Sequence, residues 1–164
     1  MSATPADGLR TLEQWPEACT WVDAALEYLD LEVVGAPETV KLRPWSTVAR
    51  LAVKTRNGRP AGDGLSMVWF KANGPGSRFE PALVSDLASV VPQWTVTPLT
   101  VQTDHAWSLS ADGGPSLAAT AGVGLAAWES FVTAMAHLQV AVADRAEALV
   151  AASEGPPSAD SDQA

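Results

Sequence analysis

Two charged residues, Lys71 and Glu80, stand where a phosphate-binding pair could form. Lys71 ends an apolar run at residues 67–70, and Glu80 lies at the start of an amphipathic segment that continues to about residue 91. This pattern predicts a strand, a turn-rich loop and a helix, with the lysine at the strand end and the glutamate at the helix start. In one known type of phosphate-binding site, a strand lysine contacts nucleotide phosphates and a helix glutamate holds that lysine in position.

Both residues also have simpler explanations. A lysine that follows a buried strand is commonly solvated rather than bound to a ligand. A carboxylate in the first turn of a helix stabilises the helix dipole by about 0.3–1 kcal/mol and needs no lysine partner for this. The spacing alone therefore leaves the structural and the phosphate-binding interpretations open.

The elements that must position this pair are helices and strands joined by short connections. Pro16 and Glu17 predict the start of a first helix that runs to about residue 29. Apolar runs predict strands at residues 31–34, 40–42, 48–53, 65–72, 94–101 and 106–110, with a hairpin connection at 56–64. Helical periodicity predicts further helices at residues 79–91 and 125–151. We expect an α+β fold with a mostly antiparallel sheet of about five strands, flanking helices and a long C-terminal helix.

Three segments of the sequence, RPWSTVARLAV, VWFKANGPGSRFEPALV and HAWSLSADGGPSL, carry a family resemblance. Together they resemble the N-terminal lobe of aminoglycoside phosphotransferase-like proteins, which have a kinase-like fold. The resemblance spans about residues 15–151, and WFKANGPG followed by FE is its most specific part. It implies an N-lobe with its hinge at 15–117 and a linker and long helix at 118–152 that would begin a second lobe. Composition predicts a loose segment at 1–14 and a disordered tail at 153–164.

The resemblance also implies a nucleotide site. Lys71 would contact the phosphates of ATP, and Glu80 would orient Lys71. The base would lie against the hinge at residues 111–117, which contains Asp112 and Gly113. Glycines in such a connector let the backbone come close to a ligand, although they suit a plain loop equally well.

The segment RPWS, residues 43–46, has two interpretations of equal weight. The resemblance places it at the turn that covers the phosphates and makes Ser46 a phosphate contact. No GxGxxG motif is present there, however, although glycines are what allow backbone N–H groups to approach phosphate. A hydrophobic plug formed by Pro44 and Trp45 at a hairpin explains the segment equally well.

The sequence contains neither an HxDxxxxN-like catalytic loop nor a later metal-binding Asp motif. Phosphoryl transfer needs a residue that orients the acceptor and ligands that hold Mg²⁺. We therefore expect the chain alone to be inactive, with Mg²⁺ bound only when a complete C-lobe is supplied. Three hypotheses follow: a nucleotide-binding lobe of a small-molecule phosphotransferase, a non-catalytic binding or protein-interaction module, and a truncated product of a longer phosphotransferase gene.

Charge and composition limit the partners. The net charge of −9 argues against a nucleic-acid partner, because phosphate backbones attract stripes of Lys and Arg. No segment has the length and apolarity of a membrane span or signal peptide, so we expect a cytoplasmic protein without a membrane partner. The single cysteine, Cys19, predicts a small core side chain. The apolar face of the helix at 125–151 predicts self-association or a protein partner.

Overall fold

Six β-strands and four α-helices make up the described part of the chain, which in this computed structural model comprises residues 10–57, 65–120, 122 and 124–154. The strands are β1 (Leu31–Val33), β2 (Glu38–Arg43), β3 (Ser46–Thr55), β4 (Met67–Asn73), β5 (Pro98–Gln102) and β6 (Trp107–Ala111). The helices are α1 (Pro16–Tyr28), α2 (Glu80–Val90), α3 (Leu125–Ala143) and α4 (Ala146–Glu154). These elements confirm the predicted α+β class.

The strands form one antiparallel sheet with the order β1–β3–β4–β6–β5, and β2 also pairs with β3. β2 pairs with the first half of β3, and β1 pairs with its last residues. Both lie on the edge of β3 opposite β4, so they follow one another along a single edge. The sheet is therefore at most five strands wide, which agrees with the predicted number of about five strands.

Successive side chains of a strand point to opposite sides, so the sheet has two faces. We call the face that α1 covers the closed face and the other the open face. In β4 the residues alternate strictly between half-buried and buried. The side chains buried on the closed face are Thr47, Ala49, Leu51, Val53, Val68, Phe70, Ala72, Trp107 and Leu109. α1 covers this face with Ala18, Val22 and Leu26, which are almost completely buried. The other face of the sheet is consequently free to line a site.

Aromatic rings strengthen the contact between α1 and the sheet. Trp15, the residue before α1, meets Trp107 edge-on with ring centroids 5.4 Å apart. Trp21 contacts the same ring at 5.8 Å and Phe70 at 6.3 Å. Ring pairs in these geometries contribute about 0.5–1.5 kcal/mol beyond the area that they bury. α1 is thereby fixed against the centre of the sheet.

The chain before α1 already belongs to the core. A 3-10 turn, Leu12–Gln14, precedes the helix, and Leu12 is 2% exposed. Thr47 donates its hydroxyl to the carbonyl oxygen of Arg10 at 3.0 Å, which fastens this segment to β3. The segment predicted to be loose, 1–14, thus contains ordered core residues at its end, and residues 1–9 lie outside the described part.

Two predicted elements differ from the observed ones by more than two residues in their bounds. The strand predicted at 94–101 begins only at Pro98, because the N–H of Trp94 bonds to the carbonyl oxygen of Val91 at 3.0 Å and forms a turn there. The single helix predicted at 125–151 is two helices, since α3 ends at Ala143. Asp144 and its neighbour form a turn, consistent with the tendency of Asp to compete for backbone groups.

α4 then packs against α2. The predicted hairpin connection at 56–64 falls mostly on residues 58–64, and the predicted tail mostly on residues 155–164; both of these segments lie outside the described residues. β3 and β4, the strands that the connection joins, are antiparallel neighbours as a hairpin requires.

Candidate functional site

A cavity of about 440 Å³ lies on the open face of the sheet. β3, β4 and β6 form its floor through side chains that include Val48, Lys71 and Ser108. α2 contributes Pro81 and Val84 to one wall, and the connector after β6, residues 112–114, contributes another. The cavity has the size of small-molecule sites, which typically measure about 300–1,000 Å³.

Lys71 and Glu80 form an ion pair inside this cavity. Lys71 faces the cavity because its neighbours Phe70 and Ala72 point into the core on the opposite side of β4. Glu80 is the first residue of α2, where Pro81 fits without loss of a helical hydrogen bond. The Lys71 ammonium donates to Glu80 Oε1, and each side chain is 33% exposed. The predicted ion pair is confirmed.

The ion pair bears on the structural and the phosphate-binding interpretations of Lys71 and Glu80 that the sequence left open. A lysine held by a carboxylate is not a freely solvated strand cap. Glu80 remains in the first turn of α2, so its stabilisation of the helix dipole operates together with the ion pair. Partly exposed pairs of this kind contribute about 0–1 kcal/mol to stability, so the pair fixes the position of the ammonium more than it stabilises the fold.

The connector after β6 is fastened to β4 by a carboxylate. Asp112 Oδ1 accepts a hydrogen bond from the indole Nε1 of Trp69 at 3.0 Å and another from the backbone N–H of Gly114 at 3.2 Å. The N–H of Asp112 also donates to the carbonyl oxygen of Met67 at 3.3 Å. Gly114 has φ +80°, a backbone conformation that favours glycine. These contacts hold Gly113 and its neighbours in the cavity wall.

Trp69 is the residue whose role the sequence did not predict. It stood in an apolar run and had no polar partner nearby in the chain. A signal was present, because residues two apart in a strand share a face, and Trp69 is two residues before Lys71. Its partner Asp112 is 43 residues away, however, so only the pairing of β4 with β6 brings them together.

Ser46 lies outside the cavity. It is the first residue of β3 and pairs with Arg43 and Asn73, beyond the position of Val48 on the same side of the strand. Trp45, in the two-residue turn before it, is 57% exposed and does not plug the core. The segment 43–46 is thus the tip of a hairpin at one end of the site, and the phosphate contact assigned to Ser46 stays a prediction.

Charged groups in the site are few. Lys71 is paired with Glu80, and Asp112 accepts from two neutral donors. Within the described residues, no group of three or more His, Cys, Asp or Glu is arranged to hold a metal ion. Cys19 lies on α1, on the other side of the sheet, and its Sγ donates to the carbonyl oxygen of Leu12 at 3.1 Å.

The sequence matches no family model, and neither the curated proteins nor the solved structures include a match. Among the helices of the described segments, none combines the length and the apolarity needed to cross a bilayer.

Proposed function

We propose that this chain is the nucleotide-binding, kinase-like N-terminal lobe of a small-molecule phosphotransferase, and that its cavity binds ATP. The observation that carries the proposal is the Lys71–Glu80 ion pair, placed between a strand end and a helix start within a cavity. In kinase-like lobes this pair holds the nucleotide phosphates.

The order of the elements supports the same proposal. A hairpin, β2–β3, precedes the strand that carries the lysine, and α2 with its glutamate follows that strand. β5, β6 and the connector then complete the sheet and the cavity. Kinase lobes likewise place the lysine on the strand after a phosphate-covering hairpin and the glutamate on the next helix.

The cavity has suitable surroundings for both parts of a nucleotide. Apolar side chains, among them Val40, Val48 and Val84, offer contacts for a base. The connector is fastened beside Met67, and Lys71 lies four positions further along β4, about 13 Å away at the usual rise per residue. A base against the connector would therefore leave the phosphates extending toward Lys71.

Catalysis needs more than this lobe supplies. Lys71 provides one positive charge for the phosphates, whereas transfer also needs Mg²⁺ ligands and a residue that orients the acceptor. In the proposed arrangement a second lobe would hold Mg²⁺ and the acceptor. We accordingly propose nucleotide binding, not transfer, as the activity of the chain on its own.

Calorimetric titration of ATP into the purified chain tests the proposal. The matched variants are Lys71→Met and Lys54→Met, since both lysines lie on strands and both are ion-paired, but Lys54 pairs with Glu32 outside the cavity. We expect Lys71→Met to weaken ATP binding at least ten-fold, while Lys54→Met leaves it unchanged. Equal affinity in all three proteins, or no binding by the wild type, would reject the proposal.

A second candidate function, a protein-interaction module, is favoured by α3. Its side chains include exposed apolar residues, with Phe131 49% and Val132 63% exposed. Exposed apolar patches on soluble proteins commonly mark interfaces. The two functions are separable, because nucleotide binding depends on the open face of the sheet and association depends on α3.

A further inference from the structure

A row of side chains crosses the open face of the sheet, one from each of five strands. The registers align Lys41 with Val48, Val48 with Lys71, and Lys71 with Ser108, and Val101 follows on β5. All five residues line the same cavity. Lys41 and Lys71 are therefore two strands apart, roughly 10 Å at the usual strand spacing, with Val48 between them.

A β-bulge turns Lys41 toward the cavity. Thr39 pairs with Ala49 and Lys41 pairs with Val48, so β2 advances by two residues where β3 advances by one. Without this extra residue, Val40 would lie opposite Val48 and Lys41 would point to the other face, because a shift of one residue reverses every side chain. The bulge thus places a second ammonium group on the face that carries Lys71.

Lys41 differs from the other lysines of the chain in its charge environment. Among the described residues, it has no carboxylate within ion-pair distance, whereas Lys54 pairs with Glu32 and Lys71 pairs with Glu80. The chain as a whole carries a net charge of −9. An excess of basic residues therefore does not explain why a lysine without a carboxylate partner lines the cavity. Lys41 leaves this end of the cavity positive.

We propose that Lys41 is a second phosphate-binding residue and that the two lysines together select ligands with at least two consecutive phosphates. This inference rests on the proposed nucleotide-binding function. A single phosphate on Lys71 would leave Lys41 two strands away, whereas a chain of phosphates reaches across Val48 to both. Lysine suits this role, because its ammonium is a point charge on a flexible four-carbon stem.

The contribution of Lys41 to phosphate binding depends on the charge environment of Lys71. The Lys71 ammonium is paired with Glu80, so the pair as a whole carries no net positive charge. Among the described residues Lys41 has no carboxylate partner, so it adds a net positive charge to the cavity and gains a charge-assisted contact when phosphate arrives. A monophosphate held at Lys71 does not reach Lys41 and therefore gains no affinity from it.

The test measures the affinities of ATP, ADP, AMP and inorganic tripolyphosphate by calorimetry for the wild type and for two variants. Lys41→Gln removes the second cation, and Lys54→Gln makes the same change in net charge outside the cavity. We expect Lys41→Gln to weaken ATP and tripolyphosphate about ten-fold, as for the loss of one charged hydrogen bond, and to change AMP less than two-fold. Lys54→Gln should change none of them.

The salt dependence of ATP binding gives an independent test of the role of Lys41. Added salt should weaken ATP binding more in the wild type than in Lys41→Gln, because the variant has lost a screened charge contact. Equal effects of Lys41→Gln and Lys54→Gln, or equal losses for ATP and AMP, would overturn the inference. Thermal unfolding of both variants should match the wild type, since both lysines are exposed.

Failure of this inference is distinguishable from failure of the proposed function. If Lys71→Met abolishes ATP binding while Lys41→Gln does not affect it, the function stands and the role of Lys41 is rejected. If tripolyphosphate binds through both lysines but no adenine nucleotide binds, the paired-lysine site stands and the nucleotide function is rejected. If the wild type binds none of the four ligands, both are rejected.

Discussion

Gly74 lies against the backbone of Trp45, and its N–H donates to the Trp45 carbonyl oxygen at 2.7 Å. A Cβ at Gly74 would come within 3.0 Å of both the Cα and the oxygen of Trp45. The loop after the lysine strand thereby supports the tip of the β2–β3 hairpin.

The first prediction follows from this close approach. Gly74→Ala should lower stability by about 1–3 kcal/mol, the usual cost of inserting a group into a packed position, because backbone rather than a side chain must move. Gly76→Ala is the matched control, since no atom lies within 4 Å of its Cβ position and its φ is not positive. Thermal unfolding of the two variants measures the difference, and equal melting temperatures would contradict the prediction.

The second prediction concerns the carboxylate that fastens the connector. Asp112→Ala should increase the hydrogen-exchange rate of the Gly114 amide, because that N–H loses its acceptor. Asp112→Asn should restore much of the protection, since its side-chain oxygen can accept the same hydrogen bonds. Asp104→Ala, in the turn at the other end of β6, serves as the control. Unchanged exchange in Asp112→Ala would show that the hydrogen bond does not hold the connector.

The third prediction distinguishes two effects of the Lys71–Glu80 ion pair: its effect on the position of the ammonium and its effect on the stability of the fold. Glu80→Gln should reduce stability by less than about 1 kcal/mol, as for other partly exposed pairs. It should nevertheless weaken ATP binding several-fold, because the Lys71 ammonium is no longer held in place. Glu32→Gln, which breaks the Lys54 pair, is the control. A gain in ATP affinity would show instead that Glu80 competes with phosphate for the lysine.

The fourth prediction concerns Cys19. Burial raises the pKa of its thiol, and the carboxylates of Asp23 and Glu13 raise it further. A raised pKa leaves less thiolate at any given pH, so alkylation of the native chain at pH 8 should be slower than alkylation of the denatured chain. Asp23→Asn should lower the thiol pKa and accelerate the reaction. The rate of iodoacetamide labelling provides the measurement, and equal rates in native and denatured protein would refute the prediction.

The fifth prediction concerns the exposed face of α3. The chain should self-associate with increasing concentration, and Phe131→Ser combined with Val132→Ser should reduce the association, because both side chains are exposed and apolar. Tyr28→Ser is the control: Tyr28 is 91% exposed but lies on α1. Light scattering across a concentration series measures the mass. A wild-type mass that stays monomeric throughout would count against this role of α3.

Much of the fold was predictable because local patterns determined it. Pro16 at the start of α1 and Pro81 in the first turn of α2 occupy the positions that local rules assign to proline. The break after Ala143 was not predictable from periodicity, because apolar residues continue across it into α4. α4 packs against α2, and helical periodicity does not reveal this contact between distant segments.

The site was predictable where its partners are close in sequence. Lys71 and Glu80 are nine residues apart, and the loop between them returns the chain to the same end of the sheet. The contact of Trp69 with Asp112 depends on the register between two strands, and the orientation of Lys41 depends on a bulge. Neither register nor bulge leaves a local signature in the sequence that the hydrophobic pattern would reveal.

The bulge in β2 also affects whether the edge strands of two molecules can pair with each other. One outer edge of the sheet is divided between β1, of three residues, and β2, of six, with a bulge and Lys41 in the latter. The opposite edge, β5, begins with Pro98 and has its own irregularity at that residue. Short or bulged edge strands, and edge strands that contain proline, resist the addition of a foreign strand. Aggregation by strand addition is thus disfavoured at both edges.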